Sequence, residues 1–332
     1  MTTSASDVEG DVRVIEVATF GGPEVLALTE APEPVPGPDE VVVEVSVADV
    51  LWVETMIRRG RGGEYFPVRP PYRPGVGVAG TVGAVGAGVD PGWTGRRVVT
   101  RTDERGGYLE RAVVPAEGLV PVPDGVSLPD AAALLHDGTT AFGLLDLVPV
   151  RPGDHVLVTA AAGGLGVLLV QEVRARGGFV VAAARGAAKL DALRRLGADV
   201  VVDYAEPDWT LRVRAATDGP HVVFDGAGGD YGRTAFDLVR DGGRFSAHGT
   251  PAGEFAVPAA EAARARGITV TGIGDVQFTP EQARRHLRAA LDATSAGRIA
   301  PLVGQTFPLH RAADAHRAIE ERAAIGKTLL TV

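Results

Sequence analysis

Cysteine is absent from the 332-residue chain. Its absence removes disulfides, thiolate catalysis and every cysteine-ligated zinc site. Lysine is scarce, confined to Lys189 and Lys327, and aromatic residues make up only 5% of the chain. No uninterrupted apolar run reaches the roughly 18 residues of a membrane span. The net charge is −9 with no basic cluster, so a nucleic-acid backbone has no electrostatic footprint to meet. The opening residues, MTTSASDVEG, lack the basic start and apolar core of a secretory signal and read as a solvated end. These absences leave a cytoplasmic protein that handles small molecules, with neither nucleic acid nor membrane as partner.

The length favours two domains, and a hydrophobic content of 45% supports well-packed cores. Up to about Pro123, short strand-like runs such as VVVEVSV (41–47), VAGTVGAV (78–85) and RRVVT (96–100) alternate with turns. A barrel-like β domain follows from them, interrupted by one helix from roughly Leu51 to Arg59, with Asp49 placed as its N-cap. From about Val126 the rhythm changes to near-continuous apolar strands alternating with helical patterns: VLVTA, FVVAAA, DVVVDY, HVVFD, GRFSAH and ITVTGI. Such alternation specifies the α/β class, a parallel sheet buried on both faces. From about Val276 the chain returns through helix, short strand, helix and TLLTV, folding back onto the β domain.

The stretch VLVTAAAGGLGVLLVQEVRARGG (156–178) carries the chemistry. The dinucleotide fingerprint G-x-G-x-x-G appears with Ala161 in its first position and Gly163 and Gly166 in the others. The second glycine lets the backbone approach a pyrophosphate, the third lets helix and strand pack closely, and the helix N-terminus offers free N–H groups. Alanine serves in the first position provided its φ stays negative. An NAD site would place an acidic residue about 20 residues on, to bind the ribose 2′-hydroxyl. This chain has AAARGAAK there, with Arg185, Gly186 and Lys189 and no carboxylate to repel a 2′-phosphate. The expected cofactor is NADPH.

With these residues in place the chain resembles the zinc-independent quinone oxidoreductases of the medium-chain dehydrogenase/reductase superfamily. The landmarks include ETMIRRG (54–60), PGVGVAGTVGAVG (74–86), GGYLERAVVP (106–115), GTTAFGLL (138–145), AAAGGLG (160–166) and the closing IGKTLLTV. The resemblance implies a GroES-like β-barrel catalytic domain (1–125 and 276–332) around a Rossmann doubly wound parallel sheet (126–275), the active site in the cleft between them. It also implies a homodimer, formed through an exposed edge near ITVTGI. Position by position it places Ala162, Gly163, Gly164, Leu165 and Gly166 at the pyrophosphate, and Gly186, Lys189 and Tyr204 at the adenosine ribose and 2′-phosphate. Thr140, Gly249 and Thr250 fall near the nicotinamide, and Lys327 near the cleft. The chain also departs from the family. Leu51 replaces a cofactor-binding asparagine, the acid three residues on is Glu54, and Gly77 replaces the usual acid after the proline-glycine turn. Val76 and Gly77 stand where zinc-dependent relatives carry His-Glu, so no bound metal is expected.

Candidate catalytic residues are fewer. Tyr65 and Tyr72, in the proline-stiffened loop 61–75, either donate a hydrogen bond to a carbonyl or wall the pocket. Trp52 and Phe66, with Tyr65, are candidates for the substrate pocket. His136 or Asp137 either relays a proton or caps a turn. His316 and Glu320 share a helix face and read as surface residues. The expected activity is hydride transfer from NADPH to a quinone or an α,β-unsaturated carbonyl. The alternatives are a dedicated enoyl or ketone reductase of a biosynthetic pathway and a non-catalytic NADPH-binding module.

Overall fold

The computed structural model describes residues 10–63, 66–102 and 106–332. The valine-rich first part supplies β1 (Asp11–Val17), β2 (Leu26–Pro32), β3 (Glu40–Val50), β4 (Gly77–Val85), β5 (Arg97–Arg101), β6 (Arg111–Pro115) and β7 (Val120–Pro121). Helix α1 (Trp52–Arg58) interrupts them after β3, and α2 (Leu128–Leu147) follows β7. Ser127 caps α2 by accepting from the Asp130 amide at 3.1 Å, and a proline follows in the first turn, where its missing N–H costs nothing.

Strands and helices then alternate: β8 (His155–Thr159), α3 (Gly164–Ala175), β9 (Phe179–Ala184), α4 (Ala187–Arg195), β10 (Val200–Asp203) and α5 (Trp209–Thr217). The pattern continues through β11 (Val222–Asp225), α6 (Gly229–Leu238), β12 (Arg244–Ala247), α7 (Ala260–Ala265) and β13 (Thr269–Thr271). The chain closes with α8 (Pro280–Ser295), β14 (Val303–Pro308), α9 (Ala312–Glu320) and β15 (Lys327–Thr331).

Strands β8 to β13 form one sheet in the order β10-β9-β8-β11-β12-β13, parallel at every pairing. Val156, Leu157, Val180, Val181, Val222 and Val223 are all fully buried in it, because helices cover both faces. The winding reverses between β8 and β11, where such a sheet opens a crevice at its carboxyl edge. The second large sheet runs β14-β15-β3-β4-β5-β7, with β6 also paired to β3. The chain's end thus completes it, Leu329 of β15 lying opposite Asp49 of β3. Helix α2 packs on α8, α3 and strands β3 to β5, so its residues sit where the two sheets meet.

Two local expectations are corrected here. Asp49 does not cap α1. The N-cap is Leu51, whose amide donates to Glu54 Oε2 at 2.8 Å, while Asp49 is wholly buried as the next-to-last residue of β3. His316 and Glu320 are not surface residues: the helix face they share packs against α1. His316 is fully buried, its Nδ1 accepting from Arg58 Nε at 3.3 Å and its Nε2 lying 3.1 Å from Tyr108 Oη. Glu320 pairs with Arg58 and Arg59.

Candidate cofactor and acceptor cleft

The glycine turn follows β8 directly. Ala160 adopts the left-handed region at φ 49°, and the Gly163 amide donates to its carbonyl at 3.0 Å. Ala161 stays outside that region, so an alanine in the first motif position is accommodated. A Cβ at Gly166 would sit 2.6 Å from the Ala161 carbonyl oxygen, the close helix–strand approach the motif requires. Gly163 instead has open space on its free side, its nearest neighbour 3.4 Å away. The first amides of α3 have no intrahelical partner and face that space.

A cleft of about 660 Å³ runs across this turn. Ala162, Gly163, Gly164, Leu165 and Gly166 line it, as do Lys189, Tyr204, Gly249, Thr250 and Lys327. The chain's end is tied to the turn, because the Gly326 amide donates to the Ala162 carbonyl at 2.7 Å and Gly163 bridges Gly326. Lys327 is 4% exposed, its Nζ 3.2 Å from Asp137 Oδ2 and 3.4 Å from Asp49 Oδ2. Burial alone would lower the lysine's pKa, but the charges of Asp137 and Asp49 raise it above the usual value. Burial would likewise raise the Asp49 pKa, and His136 and Lys327 together hold it below the usual carboxylate range.

At one end of the cleft, Lys189 Nζ donates to the Arg322 carbonyl at 2.7 Å. Burial, then the charges of Arg185 and Arg322, lower its pKa, the mark of cations crowded together. Arg322 lines the cleft and donates to the Pro251 carbonyl at 2.9 Å. Arg185 turns aside, donating to Tyr231 Oη at 2.8 Å with its guanidinium over that ring. Gly186 caps α4 with φ 88°, and its amide donates to Asp203 Oδ2 at 2.8 Å. That carboxylate's other oxygen accepts from the Ala205 amide.

At the ends of β11 and β12 the cleft is lined by Gly226, His248, Gly249 and Thr250. Burial pushes the His248 pKa down to about 4, and its Nδ1 lies 3.2 Å from the hydroxyl of fully buried Ser246. Across from them Trp52, Val53 and Met56 of α1, with Arg61 and Phe66, make the opposite wall. Asp137, one of the two proton-relay candidates, lines the cleft. Arg322 and His248 were not identified from the sequence, Asp49 was read only as a helix cap, and no spacing rule points to the place of any of the three.

Arg185 and Gly186 are not among the residues that line the cleft, and three further predicted residues, Tyr72, His136 and Thr140, lie elsewhere. Tyr72 lines a second cavity of about 240 Å³ on the other side of α1, because its backbone is bonded in both directions to Val17. Its hydroxyl is buried with no hydrogen-bond partner among the described residues, and burial pushes its pKa up to about 12. Glu54 lines the same cavity, accepting from the Leu51 and Gly75 amides and from Tyr108 Oη, each at 2.8 Å. Burial, then the charge of Asp49, raises its pKa to about 7. His136 lies behind the cleft, Nδ1 2.7 Å from Asp49 Oδ2 and Nε2 buried with no partner among the described residues. Thr140, one turn further along α2, is half-buried and not among the residues that line the cleft. Tyr65 lies outside the described residues.

Comparison with known proteins now decides the family. Residues 37–124 match the alcohol dehydrogenase GroES-like domain, and residues 196–330 match the zinc-binding dehydrogenase model. A 2-haloacrylate reductase of Burkholderia sp is 32% identical over 319 residues, covering 93% of this chain and 96% of that protein. A quinone oxidoreductase of Pseudomonas aeruginosa is 32% identical over 324 residues, covering 95% and 98%. The chain belongs to the quinone oxidoreductase family of the medium-chain dehydrogenase/reductase superfamily.

Two solved members of this superfamily overlay nearly the whole chain. A mycobacterial protein complexed with NADPH matches with a TM-score of 0.87 at 32% identity, covering 97% of this chain and all 100% of that one. An NAD-dependent alcohol dehydrogenase matches with a TM-score of 0.86 at 30% identity, covering 96% and 99%. The oxidoreductase fold and a nicotinamide dinucleotide as cofactor are thereby established, and the cleft fits such a group. A glycine turn clear of side chains at Gly163, with Asp137 and Lys327 against Gly164, meets a helix N-terminus at its middle, cations gather at one end, and apolar side chains wall the other. Among the described residues, no group of three or more histidines and carboxylates is placed to hold a metal ion. No helix among them is long and apolar enough to cross a membrane.

Proposed function

We propose that this protein is a zinc-independent, NADPH-dependent reductase of quinones or α,β-unsaturated carbonyls. The observation that carries the reading is the cationic end of the cleft. Lys189 and Arg322 meet there beside Tyr204, with Arg185 held on Tyr231 behind that ring, and both oxygens of Asp203, the residue before Tyr204, accept backbone amides. A 2′-phosphate gains charge-assisted hydrogen bonds in such a place, and a bare ribose gains none of them. The glycine turn and the first amides of α3 hold the diphosphate, and Gly249 and Thr250 shape the far end. When bound, the cofactor supplies the hydride. Trp52, Val53, Met56 and Phe66 orient an apolar acceptor and exclude water around it, so positioning is the protein's main contribution. Tyr72 and His136 lie outside the cleft and Asp137 lines it, so the proton comes from solvent beyond the apolar wall, directly or by way of Asp137.

Zinc independence rests on the donor set, for cysteine is absent and Val76 and Gly77 replace ligand-type residues. Quinones and conjugated carbonyls spread the arriving charge, so their reduction does not require a Lewis acid. Arg61 favours a second reading, an acceptor that carries a carboxylate: it lines the acceptor wall and pairs with no carboxylate among the described residues. Two copies joined along β13, an edge strand whose Val270 is 37% exposed, complete the proposal.

The test is a panel of initial rates with NADPH and NADH against 1,4-benzoquinone, 2-cyclohexenone and 2-chloroacrylate, before and after exhaustive chelation. NADPH-preferring turnover that survives chelation supports the reading. Tight NADPH binding with negligible turnover on all three acceptors would make the protein a binding module instead.

A further inference from the structure

Asp49 is a carboxylate with no exposed surface, and nothing in the glycine motif or the proposed chemistry calls for it. It sits on β3 just beyond Ala48, which faces Val78 of β4, so Asp49 and Gly77 are cross-strand neighbours. A Cβ built on Gly77 would lie 2.8 Å from Asp49 Oδ1 and 2.9 Å from His136 Cε1. The carboxylate of Asp49 therefore occupies the space that a side chain at 77 would fill. From there Oδ2 reaches His136 Nδ1 at 2.7 Å and Lys327 Nζ at 3.4 Å. Lys327 begins β15, directly after Gly326, whose amide is bonded to the glycine turn, and its ammonium also meets Asp137 of α2 at 3.2 Å. Three elements, β3, α2 and β15, converge on one buried ammonium at the floor of the cleft.

We propose that Asp49 is a positioning residue for dinucleotide binding, fixing Lys327, and with it the start of β15, against the glycine turn. The carboxylate that the proline-glycine turn lacks at position 77 is delivered instead from the neighbouring strand. This inference rests on the reading of the cleft as a dinucleotide site but not on the choice between NADPH and NADH. Two physical effects oppose one another. Removing a negative charge near the cleft would by itself strengthen the binding of an anionic dinucleotide. Releasing Lys327 from one of its two anchors would weaken it, because a buried charge left half-paired repacks its surroundings. A loss of affinity therefore reports position and a gain reports field.

The experiment titrates full-length protein with NADPH and with NADH by fluorescence, with no acceptor present. Asp49→Asn is expected to weaken the better-bound dinucleotide by about tenfold. The same change in a Lys327→Gln background is expected to add little, as required of a residue that acts through Lys327. The alkaline loss of affinity should also begin about a pH unit or more lower in Asp49→Asn. The charged and titratable groups that face or reach the ammonium are Asp49, Asp137, His136 and Glu54, and removing Asp49 withdraws one of the two carboxylates that hold it protonated. Unchanged or tighter binding, or an equal loss in the Lys327→Gln background, would overturn the proposal. Should Asp49→Asn not fold, Asp49→Glu keeps the charge and moves the carboxylate by one methylene. Unaltered affinity in that variant counts against the proposal, and a several-fold loss supports it. Equal affinity for NADPH and NADH in the unaltered protein would refute the cofactor preference and leave this test intact.

Discussion

Lys189 of α4 donates to the backbone carbonyl of Arg322, 2.7 Å away, joining the parallel-sheet domain to the turn that precedes the final strand. The contact gathers two cations contributed by distant parts of the chain. Replacing either by alanine should weaken NADPH binding by about 1.5–3 kcal/mol and leave NADH nearly unchanged. Arg185→Ala should cost less, since its guanidinium lies over Tyr231 and bonds to that residue's hydroxyl. Dissociation constants of the three variants for both dinucleotides check the order. A larger effect of Arg185 than of Arg322 would reverse the assignment.

Acid should destabilise the protein through two histidines. Burial holds the His248 pKa at about 4 and the His316 pKa at about 3, both below the ordinary 6.5. As pH falls below 6.5 the unfolded chain takes up protons that the folded chain refuses, so stability is lost down to the folded-state values. Glu54 works in the opposite sense: its raised pKa of about 7 makes stability fall as pH rises from 4.5 to 7. Asp225, raised by burial, opposes as Glu54 does, and His221, lowered by burial, adds to the other two, so three histidines outweigh two carboxyls between pH 4.5 and 6.5 and the net slope is positive there. Thermal unfolding should show a midpoint that drops on acidification over this window, and His248→Phe should flatten the drop, by on the order of 3 kcal/mol at its lower end. A wild-type midpoint independent of pH would contradict the burial of these groups as neutral.

The parallel strands were legible because burial on both faces writes them as continuous apolar runs, and the glycine turn because its spacing reflects a contact between a helix and the strand before it. Lys189, Tyr204 and Lys327 were also reachable, each close in sequence to a recognisable landmark. Arg322 and Asp49 were not, since their roles depend on pairings such as Leu329 with Asp49, far apart in sequence. Asp49 also carries a misleading local signal: an aspartate just before a helix reads as a cap, yet here the backbone stays in β3 for one more residue. The shared face of His316 and Glu320 was visible from their spacing. Its inward direction was not, because only the packing of α9 on α1 decides it.

Gly77→Ala should reproduce much of the loss expected of Asp49→Asn. The added methyl would meet Leu135 Cδ2 at 2.2 Å and Asp49 Oδ1 at 2.8 Å. Leu135 is buried and cannot turn away freely, so the carboxylate must move and Lys327 with it. A weakened dinucleotide affinity with a stability cost of about 1–3 kcal/mol is expected. Wild-type affinity in a destabilised protein would mean that the Leu135 side absorbs the strain alone.

Tyr72→Phe tests the assignment of the two sides of α1. Its hydroxyl is buried with no hydrogen-bond partner among the described residues, and Tyr72 lines the second cavity, whereas Trp52 and Met56 line the cleft. Removing a polar atom that makes no hydrogen bond relieves a desolvation cost, so stability should rise by about 1 kcal/mol with turnover unchanged. Trp52→Ala should do the reverse, raising the acceptor's KM by about tenfold or more through lost apolar contact while NADPH affinity stays within a few-fold. The two variants measured side by side separate the readings. If Tyr72→Phe slows turnover and Trp52→Ala does not change the acceptor's KM, the acceptor enters from the second cavity and the reaction runs on the opposite face of α1.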